Sequence, residues 1–236
     1  MKYLFLVPAL FLITNSFGQD AEIVTNSSSN YGAAEINSSS TNGLWIKNSS
    51  VAEDMEGSSY LFKNWLNNAI VYDIAGKRYN LPNCNFNIES NRIEAQLDDV
   101  KGKIFAFNTR DISKVEINNK VFIKKNTNKG TNQLVEVLQQ GEQTVLFKAY
   151  DISISKATIN PMTQQKMGKD KIVVKSNYYF EKNNKVEEIK LKKSVLMSLM
   201  DDKKSEVKSY MKENDLSITK EQDLIQILDY YNTLIK

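Results

Sequence analysis

The sequence predicts an α+β fold: an antiparallel β-meander of roughly nine to eleven strands followed by three short C-terminal helices. Two observations carry that reading. From Ser58 to about Leu191, short runs of alternating apolar residues are separated by turn residues every eight to fourteen positions or so. After Leu191 the apolar period lengthens to that of a helix.

The strands follow in order. Ser59 to Trp65 and Ala69 to Ile74 are apolar-rich and aromatic, Ala75-Gly76 is a turn, and Arg78 to Leu81 resumes. A two-residue loop at Ser90-Asn91 would place Ile88 opposite Ile93, Phe86 opposite Ala95 and Cys84 opposite Leu97, all on one apolar face. Cys84, the one cysteine, then reads as a buried, inert thiol, with an intermolecular disulfide as the alternative. A three-residue loop, Asn118-Asn119-Lys120, would set Ile117 against Val121 and Val115 against Ile123. Further strands are expected at Ile104 to Phe107, Gln133 to Gln139, Thr144 to Ser153, Ile172 to Glu181 and Val186 to Leu191. Gly141-Glu142, Asn160 to Asp170 and Asn183-Asn184 punctuate them.

Three helices are expected next. Val195, Leu196, Leu199 and Met200 mark the first. Asp201-Asp202 would cap a second carrying Val207, Tyr210 and Met211. Thr219 to Gln222 fits a capping box for the third, whose stripe is Leu224, Ile227, Leu228, Tyr231, Leu234 and Ile235. Such stripes pack on the sheet or on each other, with a partner-binding helix as the alternative.

The amino-terminal region divides differently. Residues 1–18 have the pattern of a signal peptide: Lys2, an apolar run from Tyr3 to Ile13, and Ser16-Phe17-Gly18 as a cleavage site. Residues 19–57 are expected to be a disordered linker rich in Ser and Asn, in which Asn-Ser-Ser recurs at Asn26, Asn37 and Asn48. Those units also fit the N-glycosylation pattern. Leu44-Trp45-Ile46 could instead form a short strand. Residues 58–236 form the globular domain, with strands over 58–191 and helices over 192–236; it is expected to fold without residues 19 to 55.

Several segments together resemble a family of secreted bacterial proteins of unassigned function. They are Gly57 to Leu61 with Trp65, Arg78 to Leu81, Val137 to Gly141 with Val145-Leu146, Asn160-Pro161 with Met167 to Lys171, Tyr178 to Phe180, and Tyr210 to Asn214 with Asp229 to Asn232. The helical Tyr-Tyr-Asn ending is the nearest match. The resemblance implies export from a Gram-negative bacterium and the strands-then-helices order. It brings no catalytic or binding residues to transfer.

Composition narrows the chemistry. There are no histidines among 236 residues, so Ser-His-Asp, Cys-His and His-ligated zinc sites are excluded. One cysteine excludes an intrachain disulfide and Fe–S clusters. Calcium-loop, Walker and dinucleotide motifs are missing from the sequence. No catalytic, cofactor-binding or metal-ligating residue is assigned, and no cofactor. Carboxylate catalysis needs only two acids, but Glu89 and Glu94 alternate with the apolar row and are expected to face solvent, while Asp98-Asp99 read as a turn. Lys120, Lys124, Lys125 and Lys129, then Lys190, Lys192 and Lys193 near Tyr178, Tyr179 and Phe180, could meet a polyanion or anionic lipid. A formal net charge of +3 with interspersed acids does not suit nucleic acid. Tyr230, Tyr231 and Trp65 read as core aromatics. No segment reads as a transmembrane span. The expected function is an exported, non-enzymatic binding or structural protein of the cell envelope or extracellular space, with an unknown partner there. The destination is periplasmic or extracellular, with outer-membrane association open. A carboxylate-dependent hydrolase of an envelope or extracellular glycan is the alternative.

Overall fold

In a computed structural model, residues 43–47, 55–96 and 103–235 are described. The signal-peptide pattern, the Asn-Ser-Ser units, Leu97 and Asp98-Asp99 lie outside them. The chain forms β1 (Gly43–Lys47), β2 (Met55–Glu56), β3 (Ala69–Asp73), β4 (Arg78–Leu81), β5 (Cys84–Asn87), β6 (Arg92–Gln96), β7 (Lys103–Phe107) and β8 (Ile112–Ile117). It continues with β9 (Lys120–Thr127), β10 (Gly130–Gln140), β11 (Thr144–Ser155), β12 (Thr158–Ile159), β13 (Lys166–Met167), β14 (Asp170–Lys182) and β15 (Lys185–Ile189). Helices α1 (Lys193–Leu199), α2 (Lys204–Glu213) and α3 (Glu221–Leu234) follow.

The result is strand-rich with three C-terminal helices, but it is not one antiparallel meander. A large sheet runs in the order β15-β14-β11-β10-β9-β8-β3-β4, and β2 joins β14 in parallel, which makes the sheet mixed. A second sheet has the order β1-β7-β6-β5, and β12 pairs with β13 in a third. The meander breaks after β4, where Pro82 offers no N–H and Asn83 turns at φ 53°. The chain leaves the large sheet there, and β5, β6 and β7 pair among themselves.

Both expected hairpin registers are corrected. Phe86 pairs with Ile93 and Cys84 with Ala95, so the β5–β6 loop spans four residues and Asn91 takes φ 52°. The shift is even in parity, and Cys84, Phe86, Ile88, Ile93 and Ala95 stay buried together. At β8–β9, Asn118 and Asn119 both adopt positive φ, 50° and 61°, and close a two-residue turn. Val115 therefore meets Phe122, and Val121 and Ile123 move to the opposite face.

Ser59 to Trp65 is not a regular strand. It touches β5 through a single bridge, with Leu61 N–H donating to the Phe86 carbonyl and Ile88 N–H to the Ser59 carbonyl, both at 2.9 Å; beyond it, Asn85 accepts from the Phe62 N–H at 3.1 Å and donates to the Phe62 carbonyl at 2.9 Å. Asn67 donates to the carbonyls of Asn64 and Cys84. The segment lies over the outer face of the small sheet, which explains why Asn85 and Glu94 are buried on that face.

One face of the large sheet has two covers. The small sheet packs on β3, β4, β8 and the near ends of β9 to β11, with Phe86 against Phe122 and Tyr79 against Phe107. The helices pack on β11, β14 and β15 through Leu146, Phe180 and Ile189, which meet Leu196, Leu224, Ile227, Leu228 and Tyr231. The expected stripe of α3 thus enters the core. The capping box does not form: Lys220 stands at the N-cap without a side-chain bond. The Glu221 carboxylate is taken by Lys148 and Tyr178 instead.

The opposite face curls. Tyr179 donates to Asn128 at 2.6 Å, Asn128 donates to Glu188 at 2.6 Å, and Lys125 pairs with Glu181, so the β9–β10 end reaches β14 and β15. Val135, Phe147, Ala149 and Tyr179 form a small core inside the curl. Within the segment expected as linker, β1 pairs along β7 and Trp45 meets Phe105 edge to face at 5.4 Å.

Candidate functional site

The acidic residues come first, because they carry the catalytic alternative. Glu89 is exposed, as expected, but Glu94 is fully buried. It accepts from Tyr60 at 2.7 Å, Asn87 at 3.1 Å and Ser90 at 3.5 Å. Burial, reinforced by that bond, pushes the Tyr60 phenol far above its ordinary range. Glu94 is thus a structural acceptor locked under the segment that covers the small sheet.

A second set of charges lies where the two covers of the large sheet meet. Glu136 on β10 pairs with Lys120 and accepts from Tyr150. Its other neighbour is the Lys148 ammonium, 3.5 Å away, which in turn sits 2.6 Å from Glu221. Tyr178 donates to Glu221 at 2.9 Å. Burial raises the Glu221 carboxyl, but the Lys148 and Tyr178 bonds outweigh it and hold the group below its ordinary pKa. Burial first, and the bond to Glu221 second, push Tyr178 up to about 12. A carboxylate held ionised in this way is the opposite of a glycosidase acid.

The lysine patch is broken up by the fold. Lys120, Lys125 and Lys129 pair with Glu136, Glu181 and Asp151, and Lys124 donates to the Arg110 carbonyl at 2.6 Å. Tyr179 and Phe180 are buried, whereas Lys190, Lys192 and Lys193 are exposed near the start of α1. Cys84 is buried, and burial pushes its thiol up to about 12, so it is inert and cannot reach a second chain. Tyr231 is core, Tyr230 stacks on Tyr210 at 4.0 Å, and Trp65 packs edge to face on Tyr60.

A groove of about 600 Å³ opens between the small sheet and the start of β10, lined among others by Ser90, Arg92, Asn108, Thr109, Arg110 and Asn132. The chain's arginines are Arg78, Arg92 and Arg110. Two of the three therefore line one groove, in a chain that otherwise uses lysine. The walls are tied before any ligand arrives: Asn91 donates to the Asn132 carbonyl at 3.1 Å and accepts from the Leu134 N–H at 2.9 Å. Thr109 donates to the Asn91 carbonyl at 2.6 Å.

The Arg92 Nε is buried and makes no hydrogen bond; its nearest carboxylate oxygen, on Glu94, is 4.0 Å away. The two form a long ion pair, while Glu94 accepts its hydrogen bonds from Tyr60, Asn87 and Ser90. Arg110 is exposed, fixed by the short turn Thr109–Asp111 that Asn108 caps. Guanidinium groups with unspent donors suit a carboxylate or phosphate, whose oxygens they meet in bidentate fashion. Nothing in the local sequence marks this site, because Arg92 at the start of β6 and Arg110 just past β7 are brought together by the antiparallel pairing of those two strands. The rarity of arginine was the available signal.

A cleft of about 560 Å³ between the β10–β11 turn and α3 is lined by Gln139, Glu142, Asp229 and Asn232. Gln139 donates to Asp229 at 3.2 Å, and its buried Oε1 has no partner. Among the described residues no three His, Cys, Asp or Glu side chains gather as metal ligands, and no helix is long and apolar enough to cross a membrane.

No known family, curated protein or solved structure matches the chain.

Proposed function

We propose that this is an exported, non-enzymatic binding protein of the cell envelope or extracellular space, and that it takes an anionic group of its ligand in the Arg92–Arg110 groove. The single observation that carries the groove is the buried Arg92 Nε, which makes no hydrogen bond, beside a second arginine with no acidic partner among the described residues. The pattern of residues 1–18 and the resemblance to secreted bacterial proteins support export. An exported chain meets carboxylated glycans and phosphate groups, and both offer the planar or tetrahedral oxyanion that a guanidinium binds.

The test is a side-chain NMR titration with trigalacturonate, inorganic phosphate and a neutral trisaccharide. The Arg92 and Arg110 Nε–Hε signals should move with the two anions and stay still with the neutral sugar. Arg110→Gln, at an exposed position, should weaken trigalacturonate or phosphate binding about tenfold, as expected for a lost charged hydrogen bond. Still signals with both anions would sink the groove.

The hydrolase alternative has its own observation: Glu142 and Asp229 line the same cleft. Glycan cleavage by the native chain, abolished in Glu142→Gln and Asp229→Asn, would replace the binding reading with the enzymatic one.

A further inference from the structure

A separate feature points to a surface rather than to a groove. Beyond the body of the large sheet, β11 and β14 continue as an arm, with Ile152 opposite Val174, Ile154 opposite Ile172 and Ser155 opposite Lys171, and the short β2 runs parallel to β14 at Asp170 and Lys171. The small β12–β13 pair closes its tip. Between Ser153 and Ser176 only Asp170 is buried.

The arm gathers most of the exposed apolar side chains of the described residues: Ile154, Ile159, Met162, Met167, Val173 and Val174. Leu44, Leu66 and Ile74 are the others, scattered over the body. Met162, at the turn, is 93% exposed. Strand alternation sorts the arm into two faces. Ile154, Ile172 and Val174 share one, continuous with Ile152, which packs on the core. Lys171, Val173 and Lys175 share the other with Ser153 and Ser155.

Charge is equally uneven. Ser153 to Ser176 holds Lys156, Lys166, Lys169, Lys171 and Lys175 against Asp170 alone. Asp170 accepts from the Ala157 N–H at 2.8 Å and pairs with Lys156 at 2.9 Å and Lys166 at 3.0 Å, which fixes the tip. Asn160 accepts from the N–H groups of Met162 and Thr163 and holds the turn. Lys171 faces Glu56 at 3.5 Å, while Lys169 and Lys175 make no ion pair among the described residues.

The geometry points to a membrane-docking arm: its apolar tip enters the headgroup region of an anionic phospholipid surface while its lysines meet the lipid charge. The pre-formed tip keeps the ordering cost low. Apolar side chains ringed by lysine are the combination that interfacial binding uses, and an acidic protein surface would leave Met162 and Ile159 without apolar partners. The device does not depend on the arginine groove.

The experiment is sedimentation of the purified exported chain with vesicles of equal parts phosphatidylglycerol and phosphatidylcholine, and with phosphatidylcholine alone. The chain should bind the anionic vesicles and release them as salt rises. Met162→Asp and Ile159→Asp should each weaken binding at least about tenfold with unchanged melting temperatures. Lys169→Gln and Lys175→Gln should each cost about fivefold. In Met162→Trp the tryptophan emission should shift to the blue on adding anionic vesicles. Equal binding by the aspartate variants, or no binding to anionic vesicles, overturns the proposal. So does a chain that is dimeric in solution and becomes monomeric in Met162→Asp without any change in vesicle binding.

Discussion

The two covers of the large sheet solve the same problem in different ways. Under the small sheet the interface is rich in aromatic rings: Phe86, Phe105, Phe107, Phe122 and Tyr79 interlock. Under the helices it is aliphatic, with Leu and Met against Leu146 and Phe180. The charges sit between the two. Along the inward face of β10, Leu134 joins the first core, Leu138 packs against the second, and Glu136 lies between them. Along β11, Leu146, Lys148 and Tyr150 repeat the order in reverse. Where neither cover reaches, the strand keeps its alternation but changes from apolar to ionic. The difference teaches that Glu136 and Lys148 are the joint between two cores that would otherwise be separate.

Breaking either core should cost most. Phe122→Ala removes a fully buried ring that packs on Phe86 at 5.5 Å, and a loss of about 4 kcal/mol is expected in a denaturant titration. Lys148→Met should cost about 3 kcal/mol, because it removes the ammonium shared by the buried Glu136 and the half-buried Glu221 and leaves Lys120, on Glu136, as the cation beside the two acids. The two substitutions differ in what rescues them. Adding Glu136→Leu and Glu221→Gln to Lys148→Met should recover part of that loss, since it removes the facing acids but leaves the Tyr150 hydroxyl and Lys120 without Glu136. If the triple variant is as unstable as Lys148→Met alone, the joint is held by something other than charge pairing.

The reach of the small sheet can be tested next. The linker expectation placed the start of the fold at Gly57, yet β1 adds an edge strand to β7 and seats Trp45 on Phe105. Gly43 lies so close that an added Cβ would meet the Ala106 carbonyl at 2.4 Å. A chain beginning at residue 57 should therefore be about 2 kcal/mol less stable than one beginning at residue 19. Trp45→Ala in the longer chain should account for most of that.

Much of the fold was readable from the sequence, and the exceptions have physical causes. Alternation located most of the strands, and period located all three helices, because both depend on local spacing. Registers failed where asparagine took the left-handed backbone and shortened or lengthened a loop. Glu94 was read as solvent-facing because the hairpin was assumed to be covered on one face. The second cover, the irregular segment near Tyr60, is held by one bridge to β5 and by the amides of Asn85 and Asn67, and leaves no periodic signal. Glu136 had a better signal: it sits inside Leu134-Val135-Glu136-Val137-Leu138, where both parities are apolar and both faces must be covered. A charge in such a run has to be buried and paired.

Alkali should act on the joint before it acts on the aromatic core. A phenol whose pKa is raised on folding stabilises the protein below its unfolded pKa, about 10, and loses that contribution as pH climbs through the folded value. Tyr178 is pushed up to about 12 and Tyr150 further, so stability should decline from about pH 10 upward. Tyr178→Phe should lessen the decline. Tyrosinate absorbance should lag for these groups until unfolding releases them. On the acid side the sign reverses. Glu221 and Asp202 are lowered in the fold, so stability is complete above about pH 5 and is lost as pH falls through their folded values.

The smallest effect should be blind to the covers altogether. Asn118-Asn119 closes a hairpin beside the aromatic core, and Asn183-Asn184 closes one beside the helices, with φ values of 50° and 61° in the first and 53° and 61° in the second. Both second asparagines are exposed and left-handed. Glycine takes that backbone with no steric cost, and Asn-Gly is the favoured pair for such a turn. Asn119→Gly and Asn184→Gly should each stabilise by about 0.5 kcal/mol, a shift measurable in the denaturant midpoint. Asn118 must be kept, because its amide donates to Asn67 at 2.6 Å and ties the turn to the loop before β3. Equal gains would show that turn chemistry is local and that the two halves differ only in what covers them. A gain confined to Asn184→Gly would mean that the turn near Asn67 is already held by tertiary contacts, and that the half under the small sheet controls its own loops more tightly than the half under the helices does.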